Sequence, residues 1–210
     1  MKRRTFLSAG GGAILSAGAG FAPVAAFAQS DENALPVVAE MVMGNPDATV
    51  EVIEYASYTC PHCANFHANQ YKLLKANYID TGKIRFIYRE VYFDRPGLWA
   101  SMIARCPETT EFFFAFSELL YQEQRNWLAS GDPATIVQEL RRLAKTAGLD
   151  DEMLDKCLTD GPKAQALFTW YQANPERDGI NSTPSFMIDG SPYSNMAYDE
   201  FADLLDRRLG

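Results

Sequence analysis

The chain has 210 residues, 47% apolar and 22% charged, which is the make-up of a globular protein and not of a disordered or fibrous one. Lysine and arginine number 19 against 27 aspartates and glutamates, a net charge of −8, which argues against nucleic acid or an anionic membrane as the ligand. The length suits one good-sized domain, or one domain carrying an insertion.

Taken in chain order, residues 1–28 read as a removable signal peptide. Lys2-Arg3-Arg4 is a basic start, Phe6 to about Phe21 is weakly apolar, and Ala26-Phe27-Ala28 is an A-x-A cleavage site that leaves Gln29 as the mature start. Arg3-Arg4-Thr5-Phe6-Leu7 is similar to the twin-arginine export signal, while Lys2 and Ser8 depart from it, so ordinary Sec export stays open. A membrane anchor fits less well, because the apolar run is short and broken by glycine. Without Lys2, Arg3 and Arg4 the balance is 16 basic to 27 acidic side chains, a net charge of −11. Nothing else in the mature chain is apolar enough to span a bilayer, and export places its four cysteines in an oxidising compartment.

Residues 29–36 are a polar lead-in. Val37 to Met43 is predicted as a first strand, ended by Gly44-Asn45-Pro46-Asp47, and Thr49 to Tyr55 as a second, β-branched and apolar. A helix follows Cys60, with Cys63, Phe66, Gln70, Leu73, Leu74 and Ala76 to Tyr78 at helical spacing, and Asp80-Thr81-Gly82 stops it. Lys83 to Arg89 is predicted as a third strand. From Pro96 to about Asp178 the period is helical throughout. Leu98, Met102 and Cys106 share one face, and Phe113, Phe116 and Leu120 another. Asp132-Pro133 and Asp150 are helix starts, and a last helix near Lys163 to Ala173 ends before Asn174-Pro175. Phe112-Phe113-Phe114 fits core packing better than a binding patch. Ser185 to Ile188 is predicted as a strand, Asp189-Gly190 as a type I′ turn, Ser191 to Tyr193 as its partner, and Tyr198 to Leu205 as an amphipathic helix. A sheet interrupted in sequence by a helical block suggests one domain inserted into another.

The chemistry concentrates at Cys60-Pro61-His62-Cys63, where a strand gives way to a helix. There the unpaired N–H groups and the macrodipole favour negative charge, and a thiolate is the nucleophile of disulfide exchange. Cys60 is predicted to be the more exposed, more acidic thiol and Cys63, one turn further in, the buried one. The His62 ring N–H is placed to stabilise the Cys60 thiolate. Four cysteines allow three pairings, and the C-x-x-C spacing favours Cys60–Cys63. Cys106 and Cys157 then pair or stay as buried free thiols; a bridge would close a loop of about 50 residues, worth ~4 kcal/mol. Two other readings compete: an inert structural bridge, and a metal site built from Cys60, Cys63 and His67, which lack a second C-x-x-C or H-x-x-x-H to complete it. Glu54, inside an apolar strand, is expensive unless hydrogen-bonded or protonated; it is either a functional acid or an edge-facing glutamate.

Cys60-Pro61-His62-Cys63 opening a helix, Thr183-Pro184 leading into a strand and the helical block between them resemble the DsbA-like thiol:disulfide oxidoreductases. The resemblance implies an α/β thioredoxin fold with an inserted all-helical domain: residues 29–95 and 181–210 forming the thioredoxin part and 96–180 the insertion. It implies that Cys60 is attacked by a substrate thiolate, that Cys63 resolves the mixed disulfide, and that Pro184 is a cis-proline beside them. It also implies that the Thr183 backbone binds substrate peptide and that Glu54 relays protons for the buried cysteine. The expected activity is oxidation of reduced exported polypeptides in the periplasm by a monomer without a dissociable cofactor, reoxidised by a DsbB-like membrane quinone reductase. Isomerase or reductase activity on the same fold, and a metal-binding module, are the alternatives.

Overall fold

The computed structural model describes residues 34–210; the signal-peptide reading of residues 1–28 lies outside them. The strands are β1 (Met41–Gly44), β2 (Val50–Ala56), β3 (Ile84–Glu90), β4 (Ser185–Ile188) and β5 (Ser191–Ser194). They form one sheet in the order β1-β3-β2-β4-β5, with β2 and β3 parallel and the other pairs antiparallel. Two parallel neighbours need a crossover. Here it is the helical segment 61–79, made of α1 (Pro61–Phe66), a π-helical turn (His67–Tyr71), α2 (Lys72–Leu74) and a second π-helical turn (Lys75–Ile79).

The first strand is shorter than predicted. Ladder pairing with β3 starts only at Met41, opposite Tyr88, and Val37 is almost fully exposed. The strand stops at Gly44, whose φ is +81° and where a Cβ would lie 2.2 Å from the Ile84 carbonyl oxygen, so only glycine fits. The π-turns also change the buried stripe of the first helix. Each adds a residue to its turn, so the inward positions become Phe66, His67, Tyr71, Leu74, Tyr78 and Ile79, while Leu73 is nearly half exposed.

Between β3 and β4 lie α3 (Arg95–Ala104), α4 (Thr110–Gln122), α5 (Gln124–Trp127), α6 (Pro133–Thr146), α7 (Asp151–Leu158) and α8 (Gly161–Asp178). The N-terminal N–H groups of five of them are capped in one way. Asp94, Thr109, Asp132, Asp150 and Asp160 accept from the backbone N–H of Gly97, Phe112, Thr135, Met153 and Lys163. The helix predicted to stop at Ala173 instead runs through Pro175 to Asp178. The proline forfeits one backbone donor, and Gly179, at φ +68°, lets the Ile180 N–H close back on the Pro175 carbonyl at 2.8 Å. The turn Asp189-Gly190 has both φ values positive, as type I′ requires, and α9 (Tyr198–Leu209) closes the chain.

The helical block and the sheet share one core. Phe113 and Phe114 of α4 pack on Tyr88 and Phe86 of β3, and a continuous apolar cluster runs from Val52 and Phe186 in the sheet to Ile103, Leu140 and Leu154 in the helices. Cys106 and Cys157 are joined across the ends of α3 and α7, a sequence separation of 51. No helix among the described residues is long and apolar enough to cross a membrane.

Candidate active site

Cys60 takes the cap position of the helix after β2, with extended backbone (φ −83°, ψ 118°) and Pro61 at the first helical position. Where five other helices place Asp or Thr, this one places a thiol and has no side-chain cap. The unpaired N–H groups of the first turn therefore face sulfur. Gln124 of α5, itself buried, donates to the carbonyls of Tyr58 (2.8 Å) and Cys60 (3.0 Å), and the Cys60 N–H donates to the Ser57 carbonyl (3.1 Å). The loop that presents the sulfur is thus pinned from the helical block. Nothing in the spacing of Gln124 marks it in the sequence, because the contact spans 64 residues.

The two thiols are unbonded to each other and unequal. Cys60 is 8% exposed and Cys63 fully buried. The neighbouring Cys63 thiol, then Thr183 and the backbone of Cys63 and His62, favour the Cys60 thiolate and hold its pKa down to about 5 against the opposing effect of burial. The Thr183 hydroxyl beside it is buried and without a hydrogen-bond partner. Burial, and then the neighbouring Cys60, push the Cys63 thiol up.

Antiparallel pairing of β4 with β2 sets Ser185 opposite Tyr55, so the loop entering β4 arrives beside the end of β2 and the cysteines. The Thr183–Pro184 peptide in that loop is cis, and the Cys60 S–H donates to the Thr183 carbonyl at 3.6 Å. The His62 side chain is exposed and makes no hydrogen bond among the described residues, and its backbone N–H contributes to favouring the Cys60 thiolate.

Glu54 lies on β2, the central strand, fully buried between Tyr88 of β3 and Phe186 of β4, so it does not face an edge. Its Oε1 pairs with His67 Nε2 at 2.9 Å, and the His67 ring stacks on Tyr121 with centroids 4.1 Å apart. This pairing overturns the metal reading. His67 turns to Glu54 instead of joining Cys60 and Cys63, and no group of three or more metal-ligating side chains is gathered among the described residues. The partnership escaped the sequence because strand β2 and a helix face had to be brought together, although His67 lies seven residues after Cys60 on its helix.

A strand, a capping cysteine, a second cysteine one turn on and a facing cis-proline loop match a known family. The family model described as thioredoxin matches residues 37–207. The chain belongs to the DsbA-like branch of the thioredoxin superfamily. Among its DsbA-like relatives, a protein of Rickettsia bellii named protein-disulfide oxidoreductase is 31% identical over 170 residues, 81% of this chain and 64% of that protein. Disulfide bond formation protein D of Bacillus subtilis is 27% identical over 177 residues, 80% of this chain and 76% of the relative. The chain therefore spans less than two thirds of the length of the Rickettsia relative. Among solved structures, alpha-DsbA1 of Wolbachia pipientis aligns with a TM-score of 0.74 and 28% identity, over 84% of this chain and 94% of that one. A structure titled protein-disulfide isomerase from Novosphingobium aromaticivorans aligns with a TM-score of 0.73 and 25% identity, over 81% and 97%. The thioredoxin fold with a helical insertion expected of a DsbA-like protein is the fold described above.

Proposed function

We propose that the chain is a periplasmic thiol:disulfide oxidoreductase that gives the Cys60–Cys63 disulfide to newly exported proteins. The observation that carries this reading is the inequality of the two sulfurs: a thiolate favoured at the helix head, 8% exposed, and a fully buried partner that favours its thiol. A stabilised Cys60 thiolate stabilises the reduced protein, which makes the disulfide form an oxidant. In the reaction a substrate thiolate attacks Cys60, Cys63 departs, and a second substrate thiol releases the oxidised product. The Thr183 carbonyl, freed when Cys60 is no longer a thiol, then accepts from a substrate backbone N–H, with Pro184 against the sulfurs. His62 and Pro61 shape the dipeptide between them, and Glu54 serves the proton on Cys63. A DsbB-like membrane quinone reductase would reoxidise the pair, and the signal peptide at residues 1–28 would deliver the chain.

The name of the Novosphingobium protein, protein-disulfide isomerase, supports a second reading, in which reduced protein reshuffles wrong disulfides. One pair of measurements separates them. An oxidase brings reduced ribonuclease to activity faster than it rescues scrambled ribonuclease, and its potential against glutathione lies above about −200 mV. A potential near about −270 mV, the thioredoxin range, or preference for scrambled substrate, would overturn the oxidase reading.

A further inference from the structure

The exchange proposed above, on which this inference rests, leaves a proton to be placed. When a substrate thiolate attacks Cys60 Sγ, a substrate–Cys60 disulfide forms, the Cys60–Cys63 bond breaks, and its electron pair leaves on Cys63. The second substrate thiolate attacks the substrate sulfur and releases Cys60 as thiolate. The substrate has then lost two electrons and two protons; one proton ends on Cys63 and the other goes to solvent. Cys63 is fully buried, so the proton it takes up, and gives back on reoxidation, cannot come from bulk water directly.

Glu54 is the buried acid on this side of the sulfur. Glu54 lies opposite Tyr88 in the sheet, the Tyr88 and Tyr121 hydroxyls are hydrogen-bonded, and Cys63 is buried in the same cluster as these two rings. Glu54 is no better connected to water than Cys63 is, since its exposure is 0%. Its one polar contact is His67, and His67 lines a cavity of about 60 Å³ between the first helix and α4, walled by Ala64, Ala68, Tyr71, Glu118 and Tyr121. That volume is several times the 10–15 Å³ or so that one water needs. The histidine's Nε2 is committed to Glu54, while its Nδ1 and the Glu54 Oε2 are buried and without a hydrogen-bond partner. Imidazole can bind a proton at one nitrogen and release it from the other. The π-helical turn begins at His67, and such turns often mark functional positions in helices. Stacking between Tyr121 and Tyr71 fixes the ring.

We infer that His67 is a positioning and relay residue, which carries protons between Glu54 and the cavity below the first helix and so connects Cys63 to solvent. The charged or titratable groups around the pair are Cys63 on α1, Tyr71 and Lys72 on the first helix, Tyr88 on β3, and Glu118 and Tyr121 on α4; β4 contributes only Phe186.

The test is stopped-flow reduction of the oxidised protein by dithiothreitol between pH 5 and 9. His67→Gln keeps a donor to Glu54 but cannot pass a proton through. It should slow reduction roughly tenfold and remove an inflection from the pH profile, a loss below the 10²–10⁴-fold or so of a full general base because Glu54 remains. Titration of the Cys60 thiolate should stay near pH 5, which a general loss of structure would not permit. Glu54→Gln should slow the step at least as much, and the double variant no further. Ala68→Leu, on the exposed rim of the cavity, fills the outlet without touching the pair and should slow the step as well; it decides between relay and no relay if His67→Gln does not fold. Unchanged rates and profiles in these variants overturn the relay alone. A wild-type protein that exchanges no electrons with dithiothreitol overturns the oxidoreductase reading and the relay with it.

Discussion

At the scale of single residues, the site depends on what donates to one sulfur. The largest influence lowering the Cys60 pKa is the Cys63 S–H, ahead of the Thr183 hydroxyl and the backbone N–H groups of the first turn. Cys63→Ala removes that donor. The thiolate absorbance of Cys60 near 240 nm should then titrate well above about 5, moving toward the 9.0 of an ordinary thiol. A midpoint still near 5 would mean that the backbone alone holds the anion. The sign of the linkage follows from a depressed value. The stability this thiolate lends the reduced protein is fully present above the ordinary thiol pKa and is lost as pH falls through about 5. The reduced form's advantage over the oxidised one in thermal unfolding should therefore shrink as pH falls from 9.0 toward about 5 and be gone below it. The two cysteines and their inequality were legible in the sequence, because helix-start chemistry is local. The backbone contribution of His62 was not, because the sequence draws attention to its ring.

At the scale of elements, the caps explain why the sequence divides so well. An Asp or Thr that caps within its own next three residues needs no tertiary partner, so the starts at Asp132 and Asp150 are legible directly, while the sequence reading passes over those at Asp94, Thr109 and Asp160. Asp160 opens α8, the long helix whose Leu167 is buried against α3, and accepts from the Lys163 N–H at 2.9 Å. Asp160→Ala should cost about 1 kcal/mol, seen as a lower Tm with faster amide exchange confined to the first turn of α8 and unchanged thiol titration at Cys60. A global rise in exchange would show that the cap supports more than its helix. Helix ends are harder to read. Pro175 reads as a stop in the sequence, whereas packing and the Gly179 closure carry the helix past it. The π-turns leave no mark in an apolar pattern read at 3.6 residues per turn, so that pattern puts Leu73 inside and gives no weight to Tyr71.

At the scale of the molecule, the insertion and the sheet are locked by a buried ion pair. Arg105, just past α3, makes two hydrogen bonds to Glu90 at the end of β3 (2.5 and 2.7 Å) and one to the Ala39 carbonyl, and lies over the rings of Phe113 and Trp170. Both partners are almost wholly buried. Arg105→Ala should cost about 3–5 kcal/mol, since it strands the Glu90 carboxylate out of water; the measurement is urea unfolding of the oxidised protein. A loss below about 1 kcal/mol would mean that water reaches Glu90. A second junction joins Arg89 to Glu40, Tyr55 and Asp178, tying the lead-in, the sheet and the end of α8. The composition showed such charges as an acidic balance and could not say which of them are inside.

The sequence by itself determined most of the elements, the interruption of the sheet by helices and the place of the Cys60-Pro61-His62-Cys63 segment at a helix start, because caps, turns and periodicity are carried by residues a few positions apart. It could not determine partners. That Thr183 meets Cys60 across 123 residues, that Gln124 holds the cysteine loop, and that His67 faces Glu54 instead of the sulfurs were decided only when the strands paired and the helices packed, since those contacts follow from register and burial and not from spacing.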